Sequence, residues 1–481
     1  MADITALSAS DLSKAIHSKA FSCVEVMKAY LARIAEVNPT YNAIISLRSE
    51  TELLAEAQLH DDLLAAGKSK GWLHGIPQAI KDLSITAGIP TIKGSPLLQK
   101  NIPTEDGLMV ERMKAAGAII IGKTNVPEFG LGSHTFNPVF GATKNAFDVT
   151  KTAGGSSGGT AVAVATHMLP VADGSDFMGS LRNPAGWNNI YGMRPSQGRV
   201  PMYPANNVWT AQLATEGPMA RTVEDLARLL ATQSGFDART PLAIHETFDL
   251  AHALKPLMDD EIQTKKILWL GDLAGHLPIE DGIESVCMDA LQAISDKGCT
   301  IDRLTSQSEL GFQPEQVWDA WLVWRKALVG SDMAAYLAMP NGRALMKPEA
   351  LYEYDSSLSL TGEVFMNASV VRTSFYHAMV KLLKSYDAIA LPSAQVWPFD
   401  VNMRYPKEIV TTKGTVQMDT YHRWMEATTY ATFAGLPCIC APAGFSKGHA
   451  GRGLPMGIQL IGKPQGDADL LRLAALFDRD V

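Results

Sequence analysis

Three polar residues stand where ordinary surface side chains do not. Lys81 lies in QAIKDLSI, a short run that reads as a buried strand. Ser156 sits in Gly154-Gly155-Ser156-Ser157-Gly158-Gly159, a six-residue loop with four glycines. Ser180 follows Gly179 inside a second tight loop, GSDFMGSLRNP. A lysine within a buried strand is rarely tolerated unless paired. Burial disfavours the ammonium and lowers its pKa, which makes the amine usable as a general base near neutral pH. The same lysine also reads as one that snorkels to water or pairs with Asp82. Glycines let backbone N–H groups approach a ligand closely, so GGSSGG reads as a close-approach site, a phosphate cradle or a plain flexible loop. Neither a following Gly-Lys-Ser/Thr nor the G-x-G-x-x-G spacing is present. A nucleophilic serine needs a base within reach and donors for the developing oxyanion. Consecutive backbone N–H groups at 177–180 are suitable donors. Ser180 does not sit in a G-x-S-x-G elbow, and no neighbouring sequence supports a histidine-based triad.

The elements that must position these residues are short. Residues 75–85 predict a turn followed by a buried strand, and 117–122 (GAIIIG) another β-rich run. Residues 161–168, small and apolar, predict a tightly packed helix, and 169–173 a strand that leads into the Ser180 loop. Upstream, 22–37 predicts an amphipathic helix: Ser22 and Glu25 have capping-box spacing, Met27, Tyr30, Leu31 and Ile34 share one face, and Asn38-Pro39 is the expected stop. In the second half, 267–271, 387–392 and 454–461 predict buried strands. Ile283, Val286, Ala290, Leu291 and Ile294 share a helix face that ends at Gly298. Short strands alternating with helices indicate an α/β architecture. With no repeat and no Pro/Ser linker, the expectation is one large domain over 1–481, with residues of about 305–425 as a helical insert or cap near the substrate entrance. Trp318, Trp321 and Trp324 fall on one helical face there. They read either as core packing or as an aromatic-accepting pocket, and Tyr421, His422 and Trp424 are equally open.

Composition narrows the partners. The 481 residues are 46% hydrophobic and 19% charged, with a net charge of −8 and no basic stripe, so nothing favours a nucleic-acid partner. No apolar run approaches the ~18–20 residues of a membrane span, and the first residues lack a signal-peptide pattern. The expectation is a cytoplasmic protein. Cys23, Cys287, Cys299, Cys438 and Cys440 are odd in number and sparsely spaced, which argues against a disulfide framework and for buried reduced thiols. No His/Cys/Asp/Glu group has metal-ligand spacing and no nucleotide fingerprint is present, so no metal or cofactor is expected. None of the cysteines sits in a Gly-rich turn, as a Cys-Glu-Lys nitrilase mechanism would ask.

Taken together and in order, these segments resemble the amidase signature family. That family has GGSSGG followed by G-[ST]-D-x-G-G-S-x-R-x-P, and here the second motif is Gly174-Ser175-Asp176-Phe177-Met178-Gly179-Ser180-Leu181-Arg182-Asn183-Pro184. The likeness extends to Gly75-Ile76-Pro77 with Lys81-Asp82, to Gly122–Phe129, to Gly217–Val223 and to Leu454–Gly462. It implies a single α/β domain built on a central twisted mixed β-sheet flanked by helices. It implies Ser180 as nucleophile, Ser156 as the relay, and Lys81 as a neutral base that later serves as acid. It also implies a cis peptide at Gly155–Ser156 and an oxyanion hole from the N–H groups of Phe177, Met178, Gly179 and Ser180. Asp176 and Arg182 would brace the loop, and Gly130, Leu131, Gly132 and Ser157 would line the substrate channel. Met178 stands where the family usually has glycine, so its thioether either narrows the acyl side of the pocket or packs away. Asn145-Ala146 replaces the common Asn-Pro. The activity implied is cleavage of a small-molecule carboxamide, with esters and carbamates open to the same triad. A homodimer is compatible. The rivals are the amidase subunit of a tRNA-dependent amidotransferase, which usually carries Arg-Gln-Pro where this chain has Arg182-Asn183-Pro184, and a non-enzymatic binding protein, which would not need to keep all three residues.

Overall fold

Short apolar strands pair into sheets in the computed structural model, which describes residues 3–478. The larger sheet has eight strands in the spatial order Thr300–Arg303, Lys266–Trp269, Ala388–Pro392, Pro455–Gly462, Cys438–Phe445, Tyr191–Arg194, Thr215–Ala220 and Val171–Asp176. The first three run parallel and every later pair is antiparallel, so the sheet is mixed. Several strands are buried at every position, the pattern of a sheet covered on both faces. Helices Asn183–Trp187, Ile283–Ser295 and Asp467–Ala474 pack on its central strands and Val223–Gln233 on Thr215–Ala220. One contiguous apolar core runs through the domain. Among the described residues, no helix is long and apolar enough to cross a membrane, and the five cysteines are buried and unpaired.

A three-stranded sheet (Ile44–Ile45, Ile119–Thr124, Pro77–Lys81) abuts the last strand of the larger one. At that seam the Lys81 N–H donates to both oxygens of the Asp173 carboxylate, at 3.2 Å each. A side chain thus takes the Lys81 N–H bond that a neighbouring strand's carbonyl would otherwise accept.

Local signals position most elements, with three shifts. The capping box forms, Glu25 N–H to Ser22 Oγ at 3.1 Å and Ser22 N–H to Glu25 at 2.8 Å. The helix, however, runs Cys23–Tyr41, through Pro39. In the last turn a proline removes only one helical donor, and the helix closes instead on Asn42 in the left-handed conformation. The helix expected at 161–168 spans Gly158–Ala165. Its first turn includes Gly158 and Gly159, where a Cβ would run into Thr135 and the Asn125 backbone. The following strand runs on to Asp176.

The helical segment is shorter than 305–425. Helices Pro314–Leu337, Pro348–Ser357 and Gly362–Leu382 pack together, but Ala388–Pro392 is an interior strand of the large sheet and Glu408–Gln417 forms a hairpin. Trp318, Trp321 and Trp324 are buried in the main core, and none reaches the cavity described below. Trp424 stacks on Trp187, with centroids 6.0 Å apart.

Candidate active site

Lys81 ends its strand with no solvent exposure. Its Nζ lies 2.8 Å from Ser156 Oγ, 2.8 Å from Ser157 Oγ and 3.0 Å from the Ser175 carbonyl. A neutral amine has two N–H groups and one lone pair. It can therefore donate to the carbonyl and one hydroxyl while accepting from the other. Burial pulls the lysine down to about 7, against the opposing pull of Asp173, Asp176 and Glu216. The Gly155–Ser156 peptide is cis. The Gly155 carbonyl accepts from Ser133 Oγ at 2.7 Å, and Ser133 Oγ also lies 2.6 Å from the Asn183 amide. The facing Asn183 atom is Oδ1, and a hydroxyl has one proton, so Ser133 can donate to only one of these two oxygens at a time.

Asp176 organises the Ser180 loop. Its carboxylate accepts from the N–H groups of Gly179 (2.9 Å) and Leu181 (3.1 Å) and from both Nε (2.9 Å) and Nη2 (3.0 Å) of Arg182. Arg182 continues to Gln459 and Thr432 on neighbouring elements, and Arg194 donates to the Asp176 carbonyl. The pair is wholly buried. Burial alone would raise Asp176, but the guanidinium charges and hydrogen bonds outweigh it and hold the carboxyl well below its usual range. Gly179 has φ +84°, and a Cβ there would sit 2.6 Å from Thr428, so the loop needs glycine at this point.

The expected oxyanion donors divide. The Gly179 N–H is committed to Asp176 and is not a free donor. Among the described residues the N–H groups of Phe177, Met178 and Ser180 have no hydrogen-bond partner. Met178 is not in the left-handed region; it borders the cavity while belonging to the main apolar core.

A cavity of about 280 Å³ opens over this loop, lined by Ser156, Ser180, Phe177, Met178 and Gly130–Gly132, and by Leu83, Ile85, Phe129, Met202, Val329, Met333 and Met425. No hydrogen bond joins the Ser156 and Ser180 hydroxyls. Such contacts are often long in enzymes without substrate. Ser157, expected on the substrate channel, is fully buried and off the cavity wall; it holds Lys81 instead.

The sequence reading missed a carboxyl–amine cluster beside Lys81. Glu216 pairs with Ser175 across the antiparallel ladder, so both side chains leave the same sheet face, and Glu216 reaches the cavity. Burial, with Asp173 adding to it, raises Glu216 to about 7, although Ser84 donates to it. Burial raises Asp173 to about 6, offset in part by Lys123. Burial lowers Lys123 to about 8. The only signal for these groups in the sequence was charge inside otherwise apolar strands.

Known proteins share this sequence pattern and this fold. The family model described as Amidase matches residues 25–471. A glutamyl-tRNA(Gln) amidotransferase subunit of Alkaliphilus metalliredigens (strain QYMF) is 31% identical over 98% of this chain and 96% of its own. Its counterpart of the same name in Carboxydothermus hydrogenoformans is 32% identical over 98% and 97%. Among solved structures, a bacterial aryl acylamidase of the amidase signature family superposes with a TM-score of 0.87 at 27% identity, covering 98% of this chain and 95% of its own. The glutamyl-tRNA(Gln) amidotransferase subunit from Thermotoga maritima superposes with 0.79 at 26%, covering 100% and 96%. Since the family model spans nearly all the described residues and the fold is shared from end to end, the chain belongs to the amidase signature family.

Proposed function

We infer that the chain hydrolyses carboxamides through an acyl-enzyme on Ser180. Neutral Lys81 takes the proton of Ser156, Ser156 takes that of Ser180, and the Ser180 oxygen attacks the carbonyl carbon. The free N–H groups of Phe177, Met178 and Ser180 meet the oxyanion. The proton returns by the same route to the leaving nitrogen, the C–N bond breaks, and the amine departs. Water then loses a proton along that route and attacks the ester, freeing the acid and Ser180. The observation that carries this reading is a wholly buried lysine, lowered to about 7, within 2.8 Å of Ser156 Oγ beneath a cavity that Ser156 and Ser180 share.

The apolar wall supports small hydrophobic or aryl amides, and the fold shared with an aryl acylamidase supports the same class. Ser180→Ala is expected to abolish the burst of amine and any acylation by a fluorophosphonate, as read by intact mass. Acylation of that variant on another residue overturns the assignment. Ser156→Ala should be severely slowed with residual turnover, because the oxyanion donors remain.

A second reading, the ammonia-generating subunit of a tRNA-dependent amidotransferase, draws support from relatives of that name at 31–32% identity. It requires glutaminase activity and a co-purifying partner. Aryl-amide turnover by the isolated chain, without glutamine hydrolysis, excludes it.

A further inference from the structure

On the cap side of the cavity stands a guanidinium that the triad does not use. Arg325, on helix Pro314–Leu337, forms part of the cavity wall yet is only 4% exposed. Its Nε donates to Glu353 Oε1 at 2.6 Å. Its Nη2 donates to the Tyr421 hydroxyl at 2.6 Å, and that hydroxyl donates on to the same Glu353 oxygen at 2.6 Å. Nη1 has no partner among the described residues. The guanidinium lies 5.4 Å from the ring centroid of Phe177, the first residue of the oxyanion loop. Nη1 is not among the fully buried unpartnered atoms, so it is open to the cavity, where a ligand oxygen of matching geometry can replace water as its acceptor.

We propose that Arg325 is a specificity-determining residue, whose Nη1 takes a neutral oxygen acceptor, such as a ketone or amide carbonyl, on the hydrophobic part of the substrate. This rests on the amide-hydrolase reading and names its substrate class further. Neutrality follows from the charges around the site. The Glu353 carboxylate already balances the Arg325 charge. Asp332 stands on the same cavity wall and opposes an anionic group. Lys93, the other cation there, is engaged with the Tyr336 hydroxyl at 3.0 Å. Val329, Met333 and Phe129 line the same cavity, so against these apolar neighbours one oxygen placed at Nη1 separates otherwise similar substrates. A site built to hydrogen-bond one oxygen rejects an analogue that lacks it, because the site's polar group is then left unpaired.

The test uses shape-matched aryl amides that carry either a para-acetyl or a para-isopropyl group, on the acyl ring in one pair and on the amine ring in the other. Binding is measured calorimetrically in the Ser180→Ala background, so that the reading does not depend on turnover. The acetyl member of one pair should bind about ten- to a hundredfold more tightly, the range for a hydrogen bond to a charged group. In Arg325→Met with Glu353→Gln, which removes both charges together, that preference should fall to near unity while the isopropyl probe keeps its affinity. Arg325→Lys retains the ion pair and should lose most of the preference, which a purely structural role would leave unchanged. Equal affinities within both pairs, a preference that survives in the double variant, or no binding of any probe would each overturn the proposal. Preferential binding without turnover in the unmodified protein would instead overturn the hydrolase reading and leave the Arg325 site standing.

Discussion

At the scale of single residues, the proposed chemistry depends on how a buried amine shares protons with its neighbours. Lys81 is lowered to about 7 and Glu216 raised to about 7, with Asp173 raised to about 6. Their titrations overlap, so the observed limb belongs to the cluster. The base form of Lys81 is present above its pKa. Hence kcat/KM should rise with pH through about 7 and fall away in acid. The Glu216 carboxylate favours the Lys81 ammonium, so Glu216→Gln should move the acid limb to lower pH. A limb that stays in place or moves upward would contradict this coupling. Lys81→Arg should be nearly inactive across the whole range, because a guanidinium does not give up its proton.

At the scale of elements, the Ser180 loop is held by one carboxylate and its arginines, so it should answer to charge removal more than to small volume changes. Arg182→Met leaves the buried Asp176 carboxylate with Arg194, at 3.5 Å, as its remaining cation. The expected loss of stability is about 3–5 kcal/mol, read from the denaturant midpoint at constant slope. Much of this level was legible in the sequence. Ser22 and Glu25 mark a cap by local spacing, and GGSSGG and GSDFMGSLRNP mark tight backbone by their glycines. What was hidden depends on apposition of distant segments. Glu216 meets Lys81 only because Thr215–Ala220 pairs with Val171–Asp176. Arg325 meets Phe177 only because helix Pro314–Leu337 lies beside the loop. The Gly179 N–H was expected to face the substrate, and its turn toward Asp176 is set by side-chain geometry that spacing does not encode. Pro39 misled in the other direction, because a proline in a last helical turn does not have to end the helix.

At the scale of the whole molecule, Lys347, just before helix Pro348–Ser357, ties that helical segment to the Gly130–Gly132 turn. Its Nζ donates to the Leu131 carbonyl at 2.6 Å and its N–H to Glu128 at 3.2 Å. Leu131 packs there with Val329, Met333, Met346 and Ala350. Lys347 is off the cavity wall, so Lys347→Met should raise KM several-fold, on the order of one hydrogen bond, with kcat little changed. Steady-state kinetics with an aryl amide would show this; a matching fall in kcat would place the strap in the chemistry instead. The same enclosure also governs reactivity toward reagents. An amine lowered to about 7 is the more nucleophilic kind, yet Lys81 has no exposed surface. General acylating and aldehyde reagents will therefore consume the solvent-facing lysines and spare this one. An electrophile meant for Lys81 has to be shaped to enter the cavity and pass the Ser156 hydroxyl, so selectivity comes from the route and not from the amine.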